Sequence, residues 1–355
     1  MMNRVSCFLL KQAMAMAVIS AGLLGVTHAN AGSAETSALR LQRVTDLPAN
    51  TAPSTVPRDY VVTPNGYFPS ECVHEIKRGE RLLSQSTVLG ADGATVRQEP
   101  ACTRPHYTKQ GQRVDTAAGI RRDAGSDAAG VKPASGGGWY EAVTYVNGSA
   151  GTRQLSANWT VPSAPSVENG QVVFFFPGLT QSNYSGTILQ PVLQWNEFGN
   201  NSWQFSSWNC CGADGSGTIN YSTPIDVNVG DQLYGLMSQN CAVGSSSCDS
   251  WNIVSTDQTT GQSTALQTGG SNTGSSGQVY NWIDGAVLEA YGVTACNQFP
   301  ADGSLHFSSI SAYDANNHAI NPDWSASANG IQYVTSPACH YTPSWTATDN
   351  WLYYR

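Results

Sequence analysis

The C-terminal part of the sequence contains very few basic residues. After Gly138 only Arg153 and Arg355 remain, against fourteen aspartates and glutamates, so this part carries about −12 charges near neutral pH. Such a surface repels nucleic acid and anionic membranes, and we expect neither as a partner. Because few fixed positive charges are left to repel one another once the carboxylates are protonated, we also expect this part to tolerate acid.

Several chemical signatures are also missing. The sequence has no Cys-x-x-Cys or His-x-x-x-His spacing, so we expect no metal and no cofactor. It has no nucleophile-elbow motif, and the three histidines of the acidic part, His306, His318 and His340, lie in an alternating run, a turn and a loop. A histidine base is therefore not expected. No second apolar run follows the first thirty residues, which argues against a transmembrane helix.

Residues 1–31 have the pattern of a secretory signal peptide. Arg4 and Lys11 accompany the apolar run Ala13–Val26, and Ala29-Asn30-Ala31 supplies a small-x-small cleavage site. We expect a secreted, extracellular protein, in which disulfides form. Of the eight cysteines that remain, we predict the pairs Cys72–Cys102, Cys241–Cys248 and Cys296–Cys339. The adjacent Cys210 and Cys211 form either a strained vicinal bridge or bonds elsewhere.

The chain then divides by charge into residues 32–137 and 138–355. The first region has thirteen basic and eleven acidic residues and ends in a glycine-rich linker. It contains a Pro64-Asn65-Gly66 turn and a short helical candidate, Cys72–Leu83. A basic leader covering an acidic domain would be held at neutral pH and released as carboxylates protonate, so we interpret residues 32–137 as a pro-segment.

From Trp139 onward, short alternating runs are separated by Gly, Asn, Ser and Pro, and helical periodicity is absent. This pattern predicts an all-β, two-sheet sandwich. One run, Gly186–Trp195, has an apolar odd face and an even face that carries Gln190 and Gln194 between aliphatic residues. Packing alone does not call for glutamines there, so we predict that this face is functional.

Glu289 is the best-placed acid or base. It shares a strand face with Val287 and Tyr291. Partial burial in an apolar strand would raise its pKa, which suits proton transfer in mild acid.

The order of these motifs resembles the glutamic peptidases of the eqolisin type. Ile188-Leu189-Gln190 matches the segment that carries the family's catalytic glutamine, and Gly285–Glu289 resembles the end of the strand that carries its catalytic glutamate. Shorter similarities lie at Ala157–Pro165, Pro224–Leu233, Thr259–Gln262 and Phe299–Phe307. The sequence departs from the family at Thr180, where an aspartate is usual, and at Phe205, where a glutamate is usual.

The resemblance implies an antiparallel sandwich of the concanavalin A-like jelly-roll kind and a polypeptide substrate. Glu289 would activate a water and then protonate the leaving amine, while the Gln190 amide would stabilise the oxyanion. Strand parity and aromatic density suggest a substrate groove with four further residues: Gln194, Trp203, Trp208 and Tyr291. We expect the protein to be a monomer.

Two other readings stay open. The many tryptophans suit a lectin-like or glycan-hydrolysing sandwich. A glycosidase needs two carboxylates close together; Asp284 and Glu289 are an odd number of residues apart and so should face opposite ways, whereas Glu197 with Glu289 is possible. In the third reading the protein is structural, and Gln190 and Glu289 only hydrogen-bond within a core.

Overall fold

A computed structural model describes residues 40–84, 86–115, 137–148, 151–181, 187–210, 217–245, 247–268, 279–326 and 333–355. Leu39–Arg355 forms one compact unit. The predicted signal peptide, residues 1–31, lies outside the described residues. Among the described residues no helix is long and apolar enough to cross a membrane.

The N-terminal region, residues 40–115, contains short strands and a single described turn of 3-10 helix, Ser70–Cys72. The strands are β1 (Val61–Thr63), β2 (Gly66–Phe68), β3 (Val73–Ile76), β4 (Arg81–Leu82), β5 (Thr87–Leu89), β6 (Val96–Gln98), β7 (His106–Tyr107) and β8 (Arg113–Val114).

The remaining strands build the sandwich. They are β9 (Gly137–Val146), β10 (Thr152–Thr160), β11 (Val172–Gln181), β12 (Ile188–Trp195), β13 (Trp203–Cys210), β14 (Ile219–Ser222), β15 (Ile225–Asp226), β16 (Gln232–Gln239), β17 (Trp251–Asp257), β18 (Ser263–Gln267), β19 (Tyr280–Tyr291), β20 (Ser304–Asp314), β21 (Ala319–Ile320), β22 (Ser344–Trp345) and β23 (Asn350–Tyr353), with a 3-10 turn at Cys296–Gln298.

Two large sheets confirm the predicted all-β sandwich. One, the site sheet, has the order β3-β14-β13-β12-β11-β19-β9, and the other, the back sheet, has the order β18-β17-β16-β10-β20-β23-β22. One hydrophobic cluster joins residues of both sheets, such as Leu193 of β12 and Ile253 of β17. A second cluster joins the other face of the site sheet to the N-terminal region, for example Val192 to Tyr67. The site sheet is thus covered on both faces.

The N-terminal region does more than cover the sheet. Strand β3 pairs in parallel with β14, from Val73 opposite Ile219 to Ile76 opposite Ser222, and so extends the site sheet by one strand. The predicted helix over Cys72–Leu83 is wrong for this reason. Pairing with β14 keeps the chain extended, and Gly79, with a φ of +85°, then turns it into β4.

All three predicted disulfides are present: Cys72–Cys102, Cys241–Cys248 and Cys296–Cys339. Cys210 is also disulfide-bonded, while Cys211 lies outside the described residues. Three bridges fit a protein that folds in an oxidising compartment. The predicted linker and its glycine-rich end fall largely on residues 116–136, which are outside the described part of the chain.

Candidate active site

Strand β12 presents its two glutamines on the face that the N-terminal region covers, which we call the front face. Leu189, Leu193 and Trp195 pack between the sheets, whereas Ile188 and Val192 join the cluster shared with the N-terminal region. Gln190 and Gln194 alternate with these two aliphatic residues and are completely buried. The strand therefore has the polar front face that its sequence predicts.

Glu289 lies on the front face of β19 and is also completely buried. Its Oε2 accepts hydrogen bonds from Trp139 Nε1 at 2.7 Å and from Lys109 Nζ at 2.5 Å. Its Oε1 accepts one from the Tyr291 hydroxyl at 2.6 Å. The carboxylate is thus held in place by three donors, one of which is the cation of an ion pair.

Burial and these donors act on the pKa of Glu289 in opposite directions. Removal from water raises the pKa and is the largest effect, while the charge and hydrogen bond of Lys109 lower it. Tyr291 and Trp139 lower it further, but the pKa stays above its ordinary value. Glu289 therefore takes up a proton at a higher pH than an exposed glutamate does.

Lys109 belongs to the N-terminal region and is tied to the β1–β2 turn. Its Nζ also donates to the Pro64 carbonyl at 3.2 Å and lies 4.7 Å from the centre of the Trp139 ring. The next residue in that turn, Asn65, donates from Nδ2 to Gln190 Oε1 at 3.1 Å. One end of the N-terminal region therefore occupies both Glu289 and Gln190.

Gly66 lets this turn come close to the sheet beside it. Its φ of +113° is left-handed, and a Cβ there would lie 2.4 Å from the Tyr107 carbonyl oxygen. A larger residue would push apart β2 and β7, the strand that leads to Lys109. The predicted Pro64-Asn65-Gly66 turn is present, and its position against Gln190 is a finding of the structure.

The two glutamines have unengaged amide donors. Gln194 Oε1 accepts from the Ser206 hydroxyl at 3.1 Å and from Trp208 Nε1 at 3.0 Å. Neither Gln190 Nε2 nor Gln194 Nε2 has a hydrogen-bond partner among the described residues, although both atoms are buried. Buried N–H groups without partners are costly, so both amides can donate to an acceptor that reaches the front face.

The strand register puts the two glutamines at different distances from Glu289 along the sheet. Glu289 is opposite Phe174, which is opposite Gln194, so these residues share one row across three strands. The same register puts Gln190 opposite Gly178, whose other neighbour is Asp284. Gln190 thus lies four residues along the strand, about 13 Å, from the row of Glu289.

Asp284 also faces this side of the sheet, which corrects the expectation that it points away from Glu289. A bulge between Asp284 and Ala286 shifts the alternation by one residue. Lys109 accordingly lowers the pKa of both Asp284 and Glu289. Burial is the larger effect and raises the pKa of Asp284 to about 7. Thr180, which replaces the family's usual aspartate, donates to Asp284 Oδ2 at 2.8 Å.

Glu197, just beyond β12, is a third buried carboxyl group near the front face. Neither of its oxygens has a hydrogen-bond partner among the described residues. Burial raises its pKa well above the ordinary value, and the nearby charge of Glu289 raises it further. Glu197 therefore takes up a proton at a higher pH than an exposed glutamate does.

Three of the four predicted groove residues lie on the front face, and one does not. Gln194 bonds to Trp208, and Tyr291 bonds to Glu289. Trp203 packs between the sheets, 5.3 Å from Trp195 between ring centres. The prediction for Trp203 is wrong because it is an odd number of residues from Trp208 on one regular strand, so their side chains point to opposite faces.

Sequence reasoning missed Lys109, Asn65, Trp139 and Asp284. The ion pair joins residues 180 positions apart, and no local pattern reports such a contact. The face of Asp284 was predicted wrongly because a bulge breaks the alternation. A signal existed only for Asn65, whose Pro-Asn-Gly turn marks a hairpin tip.

The sequence matches no protein-family model and no curated protein. Among solved structures, the chain is similar to scytalido-glutamic peptidase in complex with a peptide-based transition-state analogue. That match has 17% identity and a TM-score of 0.40, covering 62% of this chain and 98% of the other. It is similar at the same identity, TM-score and coverage to SCP-B, a member of the eqolisin family bound to Ala-Ile-His.

Aspergilloglutamic peptidase from Aspergillus niger is also similar, at 16% identity and a TM-score of 0.36, over 52% of this chain and 99% of the other. Similarity this distant does not establish the activity of this chain.

Proposed function

We propose that this protein is a secreted, acid-active endopeptidase whose front face is blocked, in the state described above, by its own N-terminal region. The observation that carries the proposal is the pairing of one buried glutamate with two unengaged glutamine amides on a single sheet face. A carboxylate that can accept a proton and an N–H that can stabilise negative charge are the two groups that water-mediated amide hydrolysis needs.

In the proposed reaction the Glu289 carboxylate removes a proton from a water as the water attacks the scissile carbonyl. A glutamine amide donates a hydrogen bond to the developing oxyanion, an interaction worth about 3 kcal/mol in comparable sites. The protonated Glu289 then delivers its proton to the leaving amine. The raised pKa of Glu289 favours this last step in mild acid.

Gln190 and Gln194 are competing candidates for the oxyanion donor. The family resemblance names Gln190 as the oxyanion donor, whereas register puts Gln194 in the row of Glu289. The Gln194 carbonyl is fixed by Ser206 and Trp208, which orients its NH2 group in advance. Because Gln190 lies about 13 Å along the sheet from the row of Glu289, we assign the oxyanion role to Gln194 and keep Gln190 as the competing candidate, and the comparison of their variants decides between them.

The N-terminal region fits the role of a pro-segment because it occupies these groups. Lys109 neutralises the carboxylate that must act as base, and Asn65 binds the Gln190 side chain. A substrate carbonyl cannot approach either group while the Pro64–Gly66 turn is in place. We therefore propose that the protein is a zymogen, activated when the N-terminal region leaves the front face.

Acid acts in opposite directions on the two parts of the chain. In the N-terminal region, a hydrogen bond from Arg104 lowers the pKa of Asp59, and burial lowers that of His106 to about 4. Both groups lose their contribution to stability as the pH falls. In the sandwich, burial raises the pKa of Glu141 to about 8, so protonation of this carboxyl in acid stabilises the folded sandwich. Acid therefore weakens these contacts of the N-terminal region while the sandwich stays folded.

The test is a protease assay on the secreted chain with a denatured protein substrate at about pH 3–4 and pH 7. Cleavage should appear only in acid, and N-terminal sequencing should then find a new start between Asp115 and Trp139. Glu289→Gln should abolish turnover, and Gln194→Ala should lower kcat by at least about 100-fold. Gln190→Ala should have a smaller effect, and the reverse order would assign the oxyanion role to Gln190. The matched control is Glu168→Gln, at an exposed glutamate. Wild-type protein that cleaves nothing after acid treatment, or a fully active Glu289→Gln variant, would refute the proposal.

Because of the bulge at Asp284, the carboxyl groups of Asp284 and Glu289 face the same side of the sheet, so the glycosidase interpretation has to be considered again. Their positions are separated by five residues including the bulge, or about 13–16 Å along the strand, whereas glycosidase carboxyl pairs are about 5–9.5 Å apart. The spacing therefore argues against Asp284 with Glu289 as a glycosidase pair. A panel of glycans in the same assay checks the remaining pair, Glu197 with Glu289.

A further inference from the structure

A second site lies at the edge of the site sheet, on strand β9. A cavity of about 300 Å³ opens there, and its walls include Tyr140, Glu141, Tyr333, Val334, Tyr341 and Pro343. The cavity is separate from the ion pair of Glu289, although the same strand carries Trp139. Its lining combines one carboxyl group with aromatic and aliphatic side chains, which is the usual make-up of a small-ligand pocket.

Three polar atoms of this cavity are buried without partners. Glu141 is 2% exposed, and its Oε2 accepts from the Tyr353 backbone N–H at 2.6 Å. Its Oε1 has no hydrogen-bond partner among the described residues, and neither does the hydroxyl of Tyr140 or Tyr333. Each of these oxygens can accept a hydrogen bond. Unsatisfied buried acceptors on one cavity wall point to a ligand that donates.

The aromatic walls favour a cation among possible donors. The rings of Tyr140 and Tyr341 lie 5.4 Å apart between centres, tilted by 51°. The Tyr341 hydroxyl donates to the Pro337 carbonyl at 2.8 Å, which holds its ring in place. Aromatic faces beside a carboxylate attract ammonium groups through cation–π and ionic interactions together. Among the described residues, no lysine or arginine makes an ion pair with Glu141.

We propose that this cavity binds a primary ammonium group at the end of an aliphatic chain, as in a lysine side chain of a peptide. Such a group has three N–H donors and no acceptor, and the residues that line the cavity offer acceptors without partners in Glu141, Tyr140 and Tyr333. Its methylene stem packs against Val334 and Pro343. The binding site does not depend on the proposed peptidase activity.

Binding is coupled to the ionisation of Glu141. Burial raises the pKa of Glu141 to about 8, and the Tyr353 N–H that is bonded to Oε2 lowers it. The Thr342 N–H also lowers it from nearby, without a geometrically sound hydrogen bond to Oε1. Glu141 raises the pKa of Tyr333, Tyr341 and Tyr354, and burial is the larger effect on each. Asp284 also acts on Tyr333, and Asp302 also acts on Tyr354. An ammonium ion favours the carboxylate, and its entry near pH 6.5 therefore releases a proton.

The experiment is calorimetric titration of the full chain at about pH 6.5 with N-acetyl-lysine amide. N-acetyl-norleucine amide, which has the same stem without the ammonium, is the matched control ligand. We expect binding of the lysine compound alone, with proton release seen as a dependence of the heat on the buffer's ionisation enthalpy. Glu141→Gln should weaken binding at least about tenfold and remove the proton release, and Tyr333→Phe should weaken it less.

Equal affinity for the norleucine compound would overturn the proposal, as would full affinity in a folded Glu141→Gln variant. Absence of binding to the wild-type chain would also overturn it. If Glu141→Gln does not fold, the proton release of the wild-type chain and the effect of Tyr333→Phe decide the matter. None of these results bears on Glu289, because the calorimetric titration involves no peptide cleavage.

Discussion

Replacing Lys109 with methionine tests whether the ion pair with Glu289 holds the N-terminal region on the front face. The substitution keeps an unbranched apolar stem beside Trp139 but removes the ammonium that lies 2.5 Å from the Glu289 carboxylate. Glu289 is completely buried, and the Lys109 side chain is 17% exposed. The variant therefore leaves a buried carboxylate that has lost its cation.

Removing one partner of a buried ion pair costs about 3–5 kcal/mol. Because Lys109 is partly exposed, we expect the lower end, about 3 kcal/mol at pH 7. Lys109 is the strongest influence that lowers the pKa of Glu289, so this pKa rises further in the variant. The contribution of Lys109 needs an ionised Glu289, is present above the pKa of Glu289, and is lost as the pH falls through it. The cost should therefore shrink towards pH 4.

Hydrogen exchange of the β1 and β2 amides measures this cost as a fall in the free energy of local opening. Lys109→Arg should retain most of the protection, and Arg81→Met, at an exposed residue of β4, should leave it unchanged. A Lys109→Met effect of the same size at pH 7 and pH 4, or one below about 1 kcal/mol at pH 7, would show that the ion pair does not hold the region in place.

Three further variants test the electrostatic and covalent arguments through urea unfolding. Glu197→Gln should raise stability at pH 7 by about 1 kcal/mol or more, since it removes a buried acid without partners; the gain should vanish near pH 4, where the acid is neutral in both folded and unfolded chains. His106→Phe keeps the stack on Phe68. The free energy of unfolding of the wild-type protein should fall by about 3 kcal/mol as the pH falls from about 6.5 to 4, and the variant should lack this fall. An unchanged pH profile in the variant would contradict this. Replacing Cys72 and Cys102 by alanine opens a bridge between residues 30 apart and should cost about 3.5 kcal/mol; a loss below about 1 kcal/mol would argue against it.

The fold and the polar face of β12 could be predicted because both follow from local alternation. A period of two in hydrophobicity identifies strands, and in Ile188–Trp195 it also assigns each side chain to a face. At Trp203 the alternation holds, since Trp203 and Trp208 face opposite sides of the sheet, and the groove prediction for Trp203 is what fails. At Asp284 the alternation itself fails, because a bulge breaks it. Bulges depend on strand pairing and are not marked by the alternation itself.

The contacts that decide the state of the site could not be predicted from local sequence. Strand β3 is paired with β14 about 146 residues away, and this pairing overrides the helical pattern of Cys72–Leu83. The Asn65–Gln190 bond joins residues 125 positions apart. What the sequence did contain was the division of charge, which indicated that a basic leader and an acidic domain belong together.

That division of charge has a specific consequence for Glu289. The sandwich itself contains only Arg153 and Arg355, and the only cation among the influences on the pKa of Glu289 is Lys109, from the N-terminal region. When that region leaves, no cation of the sandwich is in position to replace Lys109. In the proposed uncovered state the glutamate keeps its Trp139 and Tyr291 donors but loses two opposing influences together. Burial, the largest influence, raises the pKa of Glu289, and Lys109 lowers it. The scarcity of lysine and arginine after Gly138 means that, in this proposal, the ion pair depends on the N-terminal region.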